Sequence, residues 1–393
     1  MHLFCCILAG NGWFINSVMN DSYCSIPWVH LRLDPLDSGA PGVSPCCKFY
    51  YEEWERINPD NSVGDSINSA LNTEPFQQIR RDMLSGKRVK GCVNCYSDEA
   101  DGGRSMRTDA NNTYKLNISS LTERFDSTQF IEISLDNTCN LECKMCSSYH
   151  STKLRRRDQL LGWTVHNNWT VDPELLNELD LSQVEQIKFV GGEPLLSRNH
   201  LPFLQKFPDP TQLKLLYNTN ATIVPTGPTR DIMASAKELN FIISCDGIYK
   251  YNDYQRWGSD FATIMHNAES IRNSFDNIKW FTFLNTFTLL NLNAYGDTVK
   301  WFKEHNLSTF SNWGEGPLSV EHAPDWYEEW ILENNDYPEV REYFQGRTQR
   351  KYNPERWAEF LRLIERTDRM YGTRLEDYNP ELAEVLNKNK DKY

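Results

Sequence analysis

Between residues 128 and 315, short apolar runs alternate with longer amphipathic segments, and this alternation limits the folds that the chain can adopt. The apolar runs predict strands at 130–137, 186–192, 213–220, 240–247, 278–290 and 308–313. The segments between them predict helices at 173–183, 200–207, 229–239, 261–274 and 294–305. Strands that alternate with helices form a parallel sheet with right-handed crossovers. The predicted fold class is therefore α/β, with a partial (β/α)6 TIM-like barrel at 128–315.

Two regions of different composition flank the predicted barrel. Residues 20–110 are rich in loops and contain five cysteines, which predicts a small metal-binding module. Residues 316–393 are charged and rich in Trp and Tyr, and their capped amphipathic patterns predict a helical C-terminal region. Two roles are open for the tryptophans of this part of the chain, a substrate groove or an ordinary core; they are Trp313, Trp326, Trp330 and Trp357.

Charge and hydropathy exclude several classes of function. The formal net charge of −13 argues against nucleic-acid binding, because a phosphate backbone requires a basic face. The basic run Lys153 to Arg157 predicts a solvated helix face, and a basic lip for an acidic substrate is the alternative. No apolar run approaches the roughly 20 residues that span a bilayer. The start, MHLFCCILAGNGWF, lacks a basic leading region, so we expect no signal peptide, no membrane association and a cytoplasmic location.

Three of the 11 cysteines follow the first predicted strand with the spacing C-x3-C-x2-C: Cys139, Cys143 and Cys146. In a reducing compartment, clustered cysteines indicate metal binding more often than disulfides. Three thiolates are compatible with a zinc site. They are also compatible with a cubane iron–sulfur cluster whose fourth iron has no protein ligand and can bind a small molecule. The carboxyl end of a strand is where barrels place their active sites.

This motif resembles the signature of the radical S-adenosylmethionine (SAM) superfamily, in which C-x3-C-x2-C follows the first strand of a partial barrel. The resemblance implies a 4Fe–4S cluster held by Cys139, Cys143 and Cys146, with SAM chelating the open iron. It also implies reductive cleavage of SAM to a 5′-deoxyadenosyl radical that abstracts a substrate hydrogen atom. The electron would come from a reductant such as flavodoxin or ferredoxin.

A second segment, FVGGEPLL at 189–196, is similar to the glycine-rich motif that follows the second strand in this family. The resemblance implies that Gly191 and Gly192 allow close approach of the backbone to the methionine part of SAM. It implies that Glu193 accepts a hydrogen bond from the amino group of SAM.

A third segment, YNTNAT at 217–222, resembles the TNG segment of the family, with Ala221 where glycine is usual. Asn218 and Asn220 point to the same side of a strand, because side chains alternate along it. We therefore expect both to meet the cofactor or the substrate.

Two later segments complete the resemblance. ISCDGI at 243–248 is similar to the S-x-D-G segment at the fourth strand, which implies a contact between Ser244 and the ribose of SAM. YNDYQRWGSDF resembles the segment whose arginine pairs with the SAM carboxylate, and this implies that role for Arg256. A guanidinium suits a carboxylate because it offers a planar pair of donors.

The N-terminal cysteines suggest a second, closed site. Cys92 and Cys95 form a C-x2-C pair, and with Cys24 and one of Cys46 or Cys47 they provide four thiolates. From spacing alone, zinc and an iron–sulfur cluster fit equally well.

The arrangement C…PW…PCC…C-x2-C resembles the auxiliary-cluster modules named SPASM and Twitch that accompany many radical SAM enzymes. The resemblance implies a second 4Fe–4S cluster, and it favours Cys46 because the family's ligand usually follows the proline directly. Here the module precedes the barrel, whereas the family usually places it afterwards. Cys5 and Cys6 are expected to be spare.

The substrate is the least constrained part of the prediction. Relatives with such modules modify peptides, proteins and sugars, and we expect radical modification of a peptide or protein side chain. Oxidation or rearrangement of a small molecule, a sugar or an amino acid, is the alternative. A second alternative is a non-enzymatic iron–sulfur electron-transfer protein, which would not need Glu193 or Ser244.

Overall fold

The computed structural model describes residues 21–36, 38–64, 66–100, 102–335, 337–345 and 352–392. The apolar start of the chain, with Cys5 and Cys6, lies outside these residues. None of the helices in the described residues is both long and apolar enough to cross a lipid bilayer.

Ten strands form the framework of the described chain. In chain order they are β1 (His30–Pro35), β2 (Pro41–Ser44), β3 (Phe130–Ser134), β4 (Glu142–Cys143), β5 (Gln186–Val190), β6 (Lys214–Thr219), β7 (Glu238–Ser244), β8 (Arg256–Trp257), β9 (Ile278–Phe287) and β10 (Thr309–Trp313). Eight strands form one sheet in the order β10-β9-β7-β6-β5-β3-β1-β2, and β4 pairs with β8 separately. The strands predicted for the barrel are parallel neighbours in chain order. The α/β fold class is thereby confirmed.

Helices connect these strands and build the C-terminal region. The α-helices are α1 (Ile26–Val29), α2 (Tyr51–Ile57), α3 (Ile67–Ala70), α4 (Glu74–Leu84), α5 (Val93–Ala100), α6 (Met106–Thr113), α7 (Arg155–Leu161), α8 (His200–Leu204), α9 (Gly227–Ser235), α10 (Lys250–Gln255), α11 (Phe261–Ser274), α12 (Tyr295–Glu304), α13 (Asp325–Asn334), α14 (Pro338–Gln345), α15 (Pro354–Tyr371), α16 (Leu375–Tyr378) and α17 (Pro380–Lys388). Short 3-10 helices cover Lys90–Cys92, Ile118–Ser120, Thr152–Leu154, Pro173–Glu178, Leu181–Gln183, Pro194–Leu196, Pro210–Gln212, Leu292–Ala294, Gly316–Leu318, Val320–His322 and Lys390–Lys392.

One helix prediction is wrong in type. Residues 173–183 form two 3-10 helices instead of one α-helix. The first of them has an N-terminal cap, since the Asp172 carboxylate accepts a hydrogen bond from the Glu174 N–H at 3.0 Å. A second carboxylate, that of Asp180, accepts from the Ser182 N–H at 3.0 Å. Such local side-chain bonds to the backbone compete with continuation of the helix and restart it after a break.

The two faces of the sheet have different surroundings. Leu215, Phe241 and their alternate neighbours pack in the main apolar core, which includes side chains of α8, α9 and α11. Leu216 and Ile242 point the other way and form a small separate cluster with Leu284. The face without helices is therefore the inner face of the partial barrel, as side-chain alternation along strands requires.

Strand β1 extends the barrel sheet from the cysteine-rich N-terminal region. It pairs in parallel with β3, with Arg32 opposite Glu132, and Glu132 in turn lies opposite Lys188 on β5. The Glu132 carboxylate is 3.3 Å from Lys188 Nζ and 3.5 Å from Arg32 Nε, and all three residues are buried. Both the sheet and the main core thus continue across the boundary that composition places between 20–110 and 128–315.

The C-terminal region packs in a second apolar core, which it shares with barrel residues such as Phe287 and Tyr295. Helices α13, α14, α15 and α17 contribute to it, and Trp357 is only 1% exposed within it. Trp313, Trp326 and Trp330 are partly buried against the same core. Of the two roles open for these tryptophans, the structure supports packing.

The buried row of charges gives a prediction for stability. Replacement of Glu132 with Ala removes the carboxylate that lies between two buried cations, and breaking a buried ion pair costs about 3–5 kcal/mol. We expect the free energy of unfolding, measured by urea titration, to fall by about that amount. Glu123→Ala is the matched control, because Glu123 is exposed and its loss should change stability by less than about 0.5 kcal/mol. Equal effects of the two substitutions would show that the row does not join β1 to the barrel.

Candidate functional site

The C-x3-C-x2-C motif lies on the loop that follows β3. Within this loop β4 pairs antiparallel with β8, so that Cys143 lies opposite Arg256. The chain then turns, and the Cys146 N–H donates to the Cys143 carbonyl at 3.1 Å. The motif therefore lies at the carboxyl edge of the parallel strands, where barrels place their active sites.

The three thiols of this loop influence one another's ionisation. Burial raises the pKa of Cys139, Cys143 and Cys146 to about 12. The Cys143 charge further raises the pKa of Cys139, and the Cys139 charge raises that of Cys146. Because each thiolate opposes ionisation of a neighbour, the set ionises together only beside a compensating cation, such as a bound metal.

Arg157 holds this loop in place by hydrogen bonds to its backbone carbonyls. The sequence did not predict this role. Its guanidinium donates to the carbonyls of Cys143, at 2.8 Å, and of Cys146, and its side chain is 1% exposed. The adjacent Asp158 carboxylate binds the guanidinium at 2.7 Å and accepts from the Ser148 N–H at 2.5 Å. The prediction of a solvated basic helix face is thus wrong for Arg157. Arg155 and Arg156 are exposed, as expected.

The two glycines of the GGEP segment pack against the same loop. Gly191 has φ +106°, a conformation that favours glycine, and a Cβ there would lie 3.0 Å from Ser134 Cβ. A Cβ on Gly192 would lie 2.3 Å from the carbonyl oxygen of Thr138. Glycine is required because the backbone that leads into Cys139 passes close to this segment. Their predicted contact with SAM stays a prediction.

Glu193 connects the glycine-rich segment to the end of β6. Its carboxylate is 1% exposed and accepts hydrogen bonds from the Thr219 hydroxyl at 2.8 Å, the Asn220 N–H at 2.7 Å and the Leu195 N–H at 3.2 Å. Burial raises the pKa of Glu193 to about 7 against the effect of these bonds. A carboxylate has about four acceptor positions, and three of them are occupied here. One is left for the predicted hydrogen bond from the amino group of SAM.

The two asparagines of the YNTNAT segment lie on the inner face at the end of β6. Asn220 Nδ2 is 3.9 Å from Cys139 Sγ and donates to Asn140 Oδ1 at 3.1 Å. Asn218 is 8% exposed, and its Oδ1 has no hydrogen-bond partner among the described residues. Ala221 has φ +53°, a left-handed conformation that explains the usual preference for glycine at this position.

Ser244 and Cys245 lie on opposite faces where β7 ends. Ser244 is 5% exposed and shares the parity of the inner-face residue Ile242. Cys245 is fully buried in the main core, with its Sγ 3.2 Å from the Gly247 carbonyl oxygen. Ser244 therefore faces the same interior as Asn218, while Cys245 does not.

Arg256 already has a partner within the protein, and that partner was not predicted. Its Nε lies 2.7 Å from Asp246 Oδ2, and its Nη1 lies 4.0 Å from Cys143 Sγ. Asp246 is fully buried, and its other oxygen accepts from the Thr286 N–H at 2.8 Å. The guanidinium is thus held beside a cysteine of the motif. Its predicted pairing with the SAM carboxylate stays a prediction.

The N-terminal region brings the four thiols of the predicted second site to one small cavity: Cys24, Cys46, Cys92 and Cys95. Burial raises the pKa of each of them, and to about 12 for Cys24. The thiolate charges of Cys46, Cys24 and Cys95 further raise the pKa of Cys92. The four thiols thus form one electrostatic group, and Arg107 borders the cavity.

Cys46 and Cys47 border different cavities. Cys46 lines the cavity of the four thiols, whereas Cys47 lines a much larger cavity and lies 3.7 Å from Met106 Sδ. The arrangement agrees with the preference for Cys46. The two cavities are thus bordered by residues that are adjacent in the chain.

The larger cavity has a volume of about 920 Å³ and reaches the C-x3-C-x2-C loop. Its wall combines Met145 and Cys146 from that loop with Gly191, Trp54 from α2 and Arg356 from α15. All three predicted regions of the chain therefore border one space, which is within the usual size range of ligand sites.

The residues present fit the cofactors that the resemblance implies. Three thiols without a fourth cysteine suit a cluster with one open iron. The buried Asn218 Oδ1 offers an acceptor that lacks a partner among the described residues. In the part of the chain that the structure describes, no group of three His, Cys, Asp or Glu side chains is arranged to hold a metal ion as it stands.

Comparisons with known proteins give partial matches. No protein-family model matches the chain. Over 89 residues, 22% of this chain, it is 34% identical to molybdenum cofactor biosynthesis protein 1 of Dictyostelium discoideum, and the match covers 13% of that protein.

Solved structures of two proteins match part of the chain. Native anSMEcpe with bound AdoMet is 17% identical, with 63% of this chain and 62% of that chain covered and a TM-score of 0.36. Streptococcus suis SuiB bound to S-adenosylmethionine is 14% identical, with 75% and 57% covered and a TM-score of 0.38. SuiB bound to the precursor peptide SuiA is 15% identical, with 83% and 66% covered and a TM-score of 0.38. The chain spans less than two thirds of the length of each of these relatives.

The hydrogen bonds of Arg157 give a prediction for the loop. Arg157→Lys keeps the charge but loses the planar donor set that reaches several carbonyls, and a hydrogen bond from a charged donor contributes about 1.5–3 kcal/mol. We expect the free energy of unfolding, measured by thermal denaturation, to fall by about that amount. We also expect the variant to retain less iron after reconstitution. Arg156→Lys, at an exposed neighbour, should change neither quantity. Unchanged iron retention in the Arg157 variant would contradict the proposed fastening.

Proposed function

We propose that the chain is a radical SAM enzyme of the oxidoreductase or peptide-maturase type. Cys139, Cys143 and Cys146 would hold a 4Fe–4S cluster, and SAM would bind the iron that they leave open. When bound, the pair supplies a 5′-deoxyadenosyl radical that removes a hydrogen atom from the substrate. A one-electron reductant such as flavodoxin or ferredoxin would provide the electron.

The observation that carries this proposal is the convergence of four separate segments at one edge of the sheet. The cysteine loop, the GGEP segment, the end of β6 and the β8 segment are linked by direct contacts. Glu193 binds the backbone of Asn220, Asn220 lies beside Cys139, and Arg256 lies beside Cys143. A simple electron carrier needs the cysteines alone, so the additional residues favour an enzyme.

The residues of the chain have separate roles in this proposal. Arg256 sets a positive charge beside the loop, and Asp246 holds it there. Asn218 and Ser244 face the interior from adjacent strands and would bind polar atoms of SAM.

The N-terminal region would hold a second 4Fe–4S cluster at Cys24, Cys46, Cys92 and Cys95. Cys46 and its neighbour Cys47 border the two cavities, so this cluster would lie next to the space in which the substrate binds. A substrate radical that is oxidised must release an electron, and a nearby cluster can accept it. We propose a peptide or protein side chain as substrate, because the cavity is wide and bordered by all three regions of the chain.

The central test is the release of 5′-deoxyadenosine. With dithionite and SAM under anaerobic conditions, the native protein should release it, and the Cys139→Ala/Cys143→Ala/Cys146→Ala variant should release none. Cys245→Ala is the matched control, since this cysteine is buried in the main core and should not affect release. Equal release from the triple variant and the native protein would falsify the assignment of the loop.

The second site is tested by metal analysis. Two 4Fe–4S clusters contain about eight irons, and removal of either cysteine set should leave about four. Iron and zinc are measured in the native protein, in the triple variant and in a variant that lacks Cys24, Cys46, Cys92 and Cys95. A native protein with about four irons and one zinc would show that the second site is a zinc site.

A further inference from the structure

One side chain of the cysteine loop, that of Lys144, contacts the C-terminal helix α15. Lys144 follows Cys143 directly, and its side chain is 1% exposed. Its Nζ donates to the Thr367 hydroxyl of α15 at 2.7 Å and lies 3.8 Å from Asp368 Oδ1. The ammonium also lies 4.1 Å from the centre of the Tyr254 ring. The cysteine loop thus places a buried amine against the C-terminal helix.

Asp368 is fixed in place as an acceptor. It accepts hydrogen bonds from the Tyr254 hydroxyl at 2.9 Å, the Thr373 hydroxyl at 2.7 Å and the Leu375 N–H at 2.8 Å. The Lys144 amine and the Asp368 carboxylate thus form an ion pair on the side of the loop that faces α15.

The same end of α15 holds the loop by other contacts. The Tyr371 hydroxyl donates to the Glu142 carboxylate at 3.1 Å, and its ring stacks on Trp257 at 4.9 Å between centres. Glu142 and Trp257 are partners across the β4–β8 pair. Loop, β8 and α15 thus form one packed unit, and packing alone does not require an ion pair within it. Burial of two charges is unfavourable unless both are well partnered, so well-packed apolar residues would serve stability as well.

We propose that Lys144 and Asp368 are positioning residues that set the reduction potential of the cluster on the Cys139, Cys143 and Cys146 loop. This proposal rests on the proposed function, since it requires that cluster. A fixed positive charge near a cluster favours the addition of an electron, and a fixed negative charge opposes it. A unit charge about 10 Å away, at an effective dielectric constant of about 20, changes the reduction equilibrium roughly tenfold. For one electron this is about 59 mV.

The two residues therefore make opposite predictions. Lys144→Met removes the positive charge and leaves the Asp368 carboxylate, so the midpoint potential should become more negative by about 59 mV. Asp368→Asn removes the negative charge and leaves the ammonium, so the potential should become less negative by a similar amount. Lys144→Arg retains the charge and should restore the native potential. A purely structural role would move the first two variants in the same direction.

The experiment is an anaerobic dithionite titration of full-length protein, followed by electron paramagnetic resonance at one mildly acidic pH. To isolate one cluster, all samples carry substitutions of Cys24, Cys46, Cys92 and Cys95, and only those with about four irons are compared. Lys153→Met and Glu365→Gln are controls, since both side chains are exposed to solvent, and neither substitution should shift the potential.

The outcomes separate this inference from the proposed function. Opposite shifts of Lys144→Met and Asp368→Asn, with recovery in Lys144→Arg, support the charge pair. Shifts in one direction, or none in samples that retain the cluster, overturn it and leave the proposed function intact. Absence of any cluster signal from the native loop overturns both.

Discussion

The arrangement of the site depends on the hydrogen bonds that the Arg157 guanidinium donates. It is buried and donates to the carbonyls of Cys143 and Cys146 from one planar group, while Asp158 fixes its orientation. Apart from the two residues of β4, the loop with the three cysteines has no regular secondary structure, so its backbone carbonyls need other partners. Arg157 is the partner of the Cys143 and Cys146 carbonyls.

Much of the fold was predictable because hydrophobic periodicity is a local signal. Helix α11 covers the predicted residues 261–274, and the bounds of β6, β7, β9 and β10 lie within three residues of the predicted ones. The strand β1 was missed, since its buried Arg32 and half-buried Asp34 interrupt the apolar pattern that marks a strand. Its pairing with β3 depends on Glu132 and Lys188, which are distant in sequence and unusual on an inner face.

The site was predictable to the extent that it consists of short motifs. The cysteine loop, the GGEP segment and the asparagines meet at one edge because the motifs follow successive parallel strands. The supporting charges were not predictable in the same way. Arg157 lies in a basic run that resembles any solvated helix, and Asp246 and Asp368 act through partners that only the folded chain brings near. The Asp in the CDG sequence was the one available signal for Asp246.

The position of β1 has a consequence for the order in which the chain folds. Strands β1 and β3 are neighbours in the sheet, yet residues 36–129 separate them, including the cysteines of the second site from Cys46 to Cys95. The entropic cost of closing a loop rises only with the logarithm of its length, so this long connection adds little to the free energy of folding. Distant pairings nevertheless form slowly, and the connections within β3 to β10 are shorter. The sheet can therefore grow from β3 onward, and the β1–β2 pair can join it afterwards, although this pair precedes β3 in the chain.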